Sequence, residues 1–194
     1  MREMIKLLAV ITIFSAVSGG LLSGVRSATH ERIEYQRLKF VKGPAIIQIL
    51  EGCSNDPLVD RFKIIDGDKE RNFFVGVFDG KRSTVAFESF GKGFGGEIGV
   101  MVAVNLENDE IEGIGVTTHS ETPGLGSRAK TDPAFSAQFK GRSIKELFKV
   151  RADGGKIDAI TGATISSQGV CGAVIKSADI YVRLKAKIME KIKT

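Results

Sequence analysis

A short stretch of this chain, residues 158–167, is rich in hydroxyl groups and opens a long helical pattern. Its four hydroxyl side chains are Thr161, Thr164, Ser166 and Ser167. Gly162 and Ala163 keep the backbone bare between them. The start of a helix has N–H groups without partners and the positive end of the helix dipole, so this stretch suits a phosphate group. Ser and Thr are also favoured as ordinary helix N-caps, so composition alone leaves both interpretations open.

The spacing within Asp158-Ala-Ile-Thr-Gly-Ala-Thr164 resembles the flavinylation motif of the FMN-binding domain family, found in RnfG and NqrC subunits of membrane redox complexes. The resemblance implies that Thr164 carries FMN through a phosphoester bond. The second position of the motif is often Gly in the family and is Ala159 here. The other residues of this stretch implied to hold the cofactor are Asp158, Thr161, Gly162, Ala163, Ser166 and Ser167.

Two further segments resemble the same family. Gly93-Phe-Gly-Gly96 is similar to its Gly-aromatic-Gly-Gly segment, and Glu121-Thr-Pro-Gly-Leu-Gly126 is similar to a segment that lines the flavin. The residues implied to border the flavin are Phe94, Gly95, Glu121, Thr122, Gly124, Leu125 and Gly126. Ser127-Arg128 follows where relatives often have an acidic residue and Lys, which leaves a flavin contact from that position open. On its residues alone, Pro123-Gly124 predicts a type II turn.

The segment Gly91-Lys-Gly-Phe-Gly-Gly96 also fits the G-x-G-x-x-G pattern of dinucleotide-binding loops. That interpretation requires the loop to open a helix inside a βαβ unit. Glu97 instead begins a strand-like segment, so we predict no dinucleotide site here. What remains is a bare backbone that another group can approach closely.

Other kinds of chemistry find little support in the sequence. No hydrolase elbow, zincin motif or P-loop is present, and the histidines are His30 and His119. Cys53 and Cys171 form no C-x-x-C pair, so we predict two spare thiols and no metal site. The net charge of +5 comes from scattered basic residues without aromatic interleaving, which disfavours nucleic-acid binding. A bound flavin supplies its own redox chemistry, so an electron carrier needs no catalytic side chain.

An uncharged run from Leu7 to Val25 is long enough to span a membrane. A cleaved signal peptide would have a shorter apolar region followed by a small-residue cleavage site, so we expect a retained anchor at residues 1–28. Arg2 and Lys6 precede the run and predict a cytoplasmic N-terminus, although basic residues on the far side weaken this orientation. The following domain is then expected on the periplasmic or outer side of the cytoplasmic membrane.

Turn residues divide the middle of the chain into strand-like segments. The segments predicted as strands are 72–77, 83–89, 99–106, 110–118 and a short one at 147–150. Asp79-Gly80 and Asn108-Asp109 each join two of them as a hairpin, which predicts an antiparallel sheet. The segments predicted as helices are 29–39, 45–50, 133–139 and 166–192.

We therefore predict an α+β fold, a curved antiparallel sheet flanked by helices and preceded by one transmembrane helix. The FMN-binding domain is expected at residues 44–194, joined to the anchor by a connecting helix or linker at 29–43. This architecture, like the motifs, matches what the resemblance implies.

The resemblance also implies a function. The chain is expected to be an electron-transfer subunit of an Rnf-type complex, which couples electron flow between ferredoxin and NAD to Na⁺ or H⁺ translocation. Its partners would be the membrane, the other subunits and, transiently, a flavin transferase. The alternatives are an NqrC-like subunit of a Na⁺-translocating NADH:quinone reductase, or a flavin-free sensor or assembly module tethered to the membrane. The intact motif ending at Thr164 argues against the flavin-free alternative.

Overall fold

The computed structural model describes residues 1–193 and divides into two compact units. The first unit, Met1–Leu38, consists mainly of helix α1 (Arg2–Arg37), none of whose residues is buried. Within the described residues, one helix near the N-terminus is apolar and long enough to cross a membrane. This agrees with the predicted anchor, and the residues from 29 to 37 continue α1.

The second unit begins at Lys39 and contains the sheet. A π-helical segment, Leu38–Lys42, is followed by helix α2 (Gly43–Ile49), which has Pro44 in its first turn, where the missing N–H costs nothing. The five strands are β1 (Arg61–Asp66), β2 (Lys69–Phe78), β3 (Lys81–Lys92), β4 (Glu97–Asn105) and β5 (Ile111–Thr118). They lie in chain order, and every neighbouring pair is antiparallel. The predicted α+β fold is therefore confirmed.

Both predicted hairpins are confirmed. Asp79 and Gly80 connect β2 to β3 with φ angles of 51° and 74°, and Asp109 takes a φ of 59° in the turn before β5. Sequence reasoning missed β1, although its alternation of apolar and charged residues and the following Gly67 turn are a strand signal.

The prediction of a strand at 147–150 is wrong. In that segment only Val150 forms a β-bridge, an isolated parallel one with Ile157. Its backbone bonds locally and does not join the sheet, because the Ile157 N–H donates to the Lys149 carbonyl at 3.1 Å and the Arg151 N–H donates to the Ile157 carbonyl at 2.9 Å. The apolar residues of 147–150 that sequence reasoning assigned to a strand, Phe148 and Val150, are buried in the core from an irregular segment instead.

Three further α-helices follow the sheet in the described residues: α3 (Arg128–Thr131), α4 (Pro133–Ala137) and α5 (Thr164–Lys193). A short 3-10 helix, Arg151–Asp153, lies between α4 and α5. The long helix α5 packs against the sheet with the apolar stripe that its sequence predicts. Buried residues of this stripe are Val170, Val174, Tyr181, Leu184 and Ile188. The start of α5 is thereby fixed beside the end of β3.

Glycines allow β3 and α5 to approach backbone to backbone. A Cβ on Gly91 would lie 1.8 Å from the Gly169 carbonyl oxygen and 2.8 Å from the Ala173 nitrogen. The space where a side chain at position 91 would lie is thus occupied by the backbone of α5. As predicted, the segment is followed by strand β4 and does not open a helix.

A polar cluster joins the C-terminal half of α5 to the turn before β5. Asp109 accepts hydrogen bonds from the Tyr181 hydroxyl at 2.6 Å and from the amines of Lys145 and Lys185 at 2.8 and 2.5 Å. Burial raises the pKa of Asp109, but these hydrogen bonds outweigh burial and hold it well below its ordinary value. The carboxylate therefore stabilises the fold while it is charged.

We expect Asp109→Asn to lower the free energy of unfolding by about 1–2 kcal/mol at pH 7, since the lysines are partly exposed to solvent. Because the folded pKa is depressed, this contribution is present above the unfolded pKa of about 3.9 and is lost as the pH falls below it. Thermal unfolding of the purified chain at pH 7 and below pH 4 would measure both effects.

The matched control for this change is Asp79→Asn. Asp79 also has a positive φ, but in the described part of the chain its side chain makes no hydrogen bond or ion pair. Equal losses from the two substitutions would show that backbone conformation, and not the Asp109 cluster, is responsible.

Candidate functional site

Three segments that are distant in the sequence enclose a cavity of about 420 Å³. They are the turn between β3 and β4, the turn after β5 and the start of α5. The lining residues are Phe94, Glu121, Thr122, Leu125, Gly126, Gly162, Ala163, Thr164, Ile165 and Ser166. All three segments singled out in the sequence therefore meet at one place.

The residues implied to hold flavin divide into two groups. Those that line the cavity are Phe94, Glu121, Thr122, Leu125, Gly126, Gly162, Ala163, Thr164 and Ser166. Those that lie outside its lining are Gly95, Gly124, Asp158, Thr161 and Ser167. Sequence reasoning missed Ile165, which is 49% exposed although an apolar residue at the start of an amphipathic helix is ordinarily assigned to the core. Its position directly after Thr164 was the available signal.

Thr164 is the first residue of α5, and its side chain is exposed. The turn before it is closed by a hydrogen bond from the Ala163 N–H to the Ile160 carbonyl at 2.8 Å, with Gly162 at φ 80°. The buried Ser167 hydroxyl accepts from the Ile160 N–H and donates to the Ala163 carbonyl, each at 3.0 Å. Ser167 thus holds the turn that presents Thr164, while its own hydroxyl is fully engaged.

Asp158 anchors the beginning of this segment. Its backbone N–H donates to the Gln138 side-chain oxygen at 2.7 Å, and the Gln138 amide donates back to its carbonyl at 3.2 Å. Its exposed carboxylate pairs with Arg151 at 2.5 Å. Thr161, the other hydroxyl residue before the helix, is exposed and lies outside the cavity lining. Within this segment, Thr164 is therefore the threonine that faces the cavity.

The segment after β5 forms the predicted type II turn. The Leu125 N–H donates to the Thr122 carbonyl at 3.2 Å, and Gly124 has a φ of 76°. Ser127 supports the turn by accepting from the Gly124 N–H at 2.9 Å. Arg128 follows this turn, pairs with Asp132 at the end of α3 and does not line the cavity.

Apolar side chains surround the cavity although they are exposed to solvent. Phe94 is 72% exposed, and Leu125 and Ile165 are each 49% exposed. Leaving large apolar side chains in water is unfavourable. An exposed apolar rim is therefore typical of a site that binds a flat ring system. A rim of this kind beside a hydroxyl at a helix start fits FMN, which has both an aromatic ring system and a phosphate.

A buried carboxylate forms part of the cavity wall. Glu121 is only 5% exposed, and its Oε1 accepts a hydrogen bond from the Gly95 N–H at 2.8 Å. Its other oxygen accepts from the Ser166 hydroxyl. Its own N–H donates to His119 Nδ1 at 3.3 Å.

Neither cysteine is among the residues that line the cavity. Burial, followed by the charge of Asp153, raises the pKa of Cys171 to about 12, so this thiol stays protonated. Cys53 and Cys171 are both free, as predicted. Within residues 1–193, no group of three His, Cys, Asp or Glu side chains could hold a metal ion.

Comparison with known proteins identifies relatives of this chain and a family that includes the cavity segments. The FMN-binding domain family matches residues 93–179, which include the three cavity segments. The chain is 32% identical to the RnfG protein of the ion-translocating oxidoreductase complex from Cereibacter sphaeroides, over 93% of this chain and 85% of that protein. It is 30% identical to the corresponding RnfG protein of Methanosarcina acetivorans, over 92% of this chain and 94% of that protein.

Two solved structures are also similar. The NqrC protein of the Na⁺-translocating NADH-quinone reductase from Parabacteroides distasonis is 29% identical with a TM-score of 0.48, over 58% of this chain and 61% of that chain. NqrC from Shewanella oneidensis is 28% identical with a TM-score of 0.44, over 63% and 64%. This chain thus spans less than two thirds of either structure.

The five-stranded sheet, the cavity and the family match define a protein with an FMN-binding domain. More particularly, the chain belongs to the RnfG family of ion-translocating oxidoreductase complexes.

Proposed function

We propose that this chain holds FMN in the cavity, esterified to Thr164, and relays electrons within an ion-translocating oxidoreductase complex of the Rnf type. The observation that carries this proposal is the exposed Thr164 hydroxyl at the start of a 30-residue helix, in the wall of a cavity with an apolar rim. The complex would couple electron flow between ferredoxin and NAD to Na⁺ or H⁺ translocation. The chain itself would act as a relay together with the other proteins of the complex, and not as a stand-alone catalyst.

Each part of the cavity has a role in this proposal. The first N–H groups of α5 lack carbonyl partners within the helix, and with the helix dipole they stabilise the negative charge of a phosphate. Phe94, Leu125 and Ile165 offer apolar surface to the ring system. FMN supplies the electron-carrying chemistry when bound, and these residues supply its position.

The ester bond is formed by a separate flavin transferase that uses FAD and Mg²⁺. The Thr164 oxygen bonds to the flavin-side phosphorus of FAD, the pyrophosphate bond breaks, and AMP leaves while the hydroxyl proton passes to the transferase or to solvent. An exposed hydroxyl favours this step, because a second protein must reach it. Thr161 is the nearest competing hydroxyl and is also exposed, but it lies outside the cavity.

The observations favour this proposal over the two alternatives. A match to the FMN-binding domain family disfavours a flavin-free sensor or assembly module. The RnfG relatives, which match nearly the whole chain, favour an Rnf-type complex over a Na⁺-translocating NADH:quinone reductase.

We expect flavin mass on the Thr164 peptide only when the transferase is present. The chain would be expressed with and without the transferase, digested, and mapped by mass spectrometry. Flavin mass on the Thr161 residue, or on no residue at all, would contradict attachment at Thr164.

The location of the flavin domain is a further part of the proposal. Residues 1–28 anchor the chain, residues 29–43 connect, and residues 44–194 form a domain on the periplasmic or outer side of the membrane. The basic residues Arg2 and Lys6 before the apolar run support this orientation.

A cysteine placed in the exposed segment after the apolar run tests the orientation. We expect Glu31→Cys, in a Cys53→Ser background, to react with a membrane-impermeant thiol reagent in intact cells. The remaining Cys171 is buried with a raised pKa and stays unreactive, so the Cys53→Ser chain alone serves as the control. Labelling only after lysis would indicate the opposite orientation.

A further inference from the structure

Glu121 is the one acidic or basic side chain among the buried residues of the described chain. Burying a carboxylate is costly unless hydrogen bonds satisfy its oxygens. Here both oxygens are satisfied, one by the Gly95 N–H at 2.8 Å and the other by the Ser166 hydroxyl. These two hydrogen bonds therefore offset the cost of burying the carboxylate.

These two contacts join the three segments that enclose the cavity. Gly95 lies in the turn between β3 and β4, Glu121 lies just after β5, and Ser166 lies in the first turn of α5. Ser166 is also two positions after Thr164, so the carboxylate holds the same helical turn that presents the Thr164 hydroxyl. One side chain thus connects both turns to the start of the helix.

Two glycines leave the space that this carboxylate fills. A Cβ on Gly93 would lie 2.5 Å from Glu121 Oε1, and a Cβ on Gly126 would lie 2.7 Å from its Oε2. Any larger residue at either position would displace the carboxylate. This gives Gly93 and Gly126 a role in packing around Glu121, separate from any contact with a cofactor.

Within residues 1–193, Glu121 forms no ion pair with a basic side chain, and the groups that donate hydrogen bonds to it are a backbone N–H and a hydroxyl. Both oxygens accept hydrogen bonds, as those of a charged carboxylate do, so the negative charge lies in the cavity wall without an ion-pair partner. At this poorly solvated position a negative charge opposes the addition of electrons to a neighbouring ring.

We propose that Glu121 is a positioning residue of the flavin site, whose carboxylate locks the three cavity segments together and lowers the reduction potential of the bound flavin. The inference rests on the function proposed above. Glu121 shapes the cavity before the flavin is attached, and its charge acts on the flavin once it is attached.

Two substitutions separate the shape of Glu121 from its charge. Glu121→Gln keeps the shape: its carbonyl accepts from the Gly95 N–H, and its amide donates to the Ser166 oxygen. Glu121→Ala leaves both partners unpaired and opens a gap in the wall. The matched control is Glu97→Gln, which removes a charge from an exposed residue at the start of β4.

The full-length chain and its variants would be expressed with the flavin transferase and purified in detergent. We expect flavin loading of Glu121→Gln within about twofold of wild type, and loading of Glu121→Ala at least about tenfold lower. The midpoint potential of the flavin, measured by redox titration of its absorbance, should rise in Glu121→Gln and stay unchanged in Glu97→Gln. Thermal unfolding of each flavin-free chain, made without the transferase, reports whether the variant folds.

The outcomes distinguish this inference from the proposed function. A wild-type chain without covalent flavin would overturn both. Normal loading of a folded Glu121→Ala variant, with wild-type flavin on Thr164, would overturn the positioning role alone. An unchanged potential in Glu121→Gln would overturn the charge role, which this variant tests whether or not Glu121→Ala folds. Flavin loading of Glu121→Gln more than about tenfold below wild type would overturn the claim that the shape of this side chain is sufficient for positioning.

Discussion

Replacing Thr164 by Val is expected to give a folded, membrane-inserted chain that carries no flavin. Val keeps the β-branched shape and removes the one oxygen proposed to be esterified. Loss of a cap hydroxyl costs about 0.5–2 kcal/mol at most. We expect the low end of that range, because the hydroxyl that holds the turn before the helix belongs to Ser167 and not to Thr164.

The functional effect of this substitution should be much larger than its effect on the fold. The chain has no Trp, its two cysteines are free, and residues 1–193 contain no metal-binding group that could carry electrons instead. We therefore expect the assembled complex to lose nearly all electron transfer between ferredoxin and NAD. Far-UV circular dichroism, in-gel flavin fluorescence and turnover of the complex would be measured on the same preparation.

Thr131→Val is the matched control for this experiment. It removes an exposed threonine hydroxyl in α3 that lies outside both the cavity and the flavinylation motif, so flavin and turnover should be retained. Near-normal turnover in a non-fluorescent Thr164→Val chain would show that this flavin is not on the electron path, and the proposed relay function would then be abandoned.

Adding a single methyl group at Gly91 is expected to destabilise the domain severely. The new Cβ would lie 1.8 Å from the Gly169 carbonyl oxygen, far inside van der Waals contact. Because the opposing atom belongs to the backbone of α5, no side-chain rotation can relieve the overlap, and the whole start of the helix must move. We expect Gly91→Ala to cost about 3 kcal/mol or more in free energy of unfolding.

Movement of α5 also separates the segments of the cavity. We therefore expect flavin loading of Gly91→Ala to fall together with the melting temperature, since Thr164 and Ser166 both belong to the displaced turn. Thermal unfolding and in-gel flavin fluorescence of the purified chain would measure the two effects.

Gly172→Ala provides a control with the opposite sign. Gly172 lies in the same helix, and a Cβ there meets nothing within 4 Å. Replacing an unconstrained helical glycine by Ala stabilises a helix by about 0.5–1 kcal/mol. A Gly91→Ala chain as stable as Gly172→Ala would refute the close backbone packing of β3 and α5.

The prediction of the sheet from sequence succeeded where local residues control backbone conformation. Asp79-Gly80 and Pro123-Gly124 both form the turns that their residue types predict. It failed at 147–150, where the apolar residues Phe148 and Val150 are buried but the backbone pairs with the nearby Ile157 and does not join the sheet. Whether a segment joins a sheet depends on which strand edges it reaches in the folded chain.

The sequence by itself determined the apolar anchor, the hairpins, the long amphipathic helix and the order of the three motif segments, because each depends on residues close together in the chain. Only the tertiary structure decided which motif residues face the cavity. In the structure Thr164 lines the cavity and Thr161 does not. Asp158 and Ser167 form hydrogen bonds that hold the segment before α5.

Tertiary structure also decided the roles of Glu121 and the glycines. Glu121 meets Ser166 across 45 positions of sequence, and Gly91 meets the backbone of α5. Contacts between distant segments depend on how whole elements pack, and neither local propensity nor residue spacing encodes the distance between two backbones. The residues that could carry the cofactor are therefore readable from the sequence, whereas the packing that shapes their cavity is not.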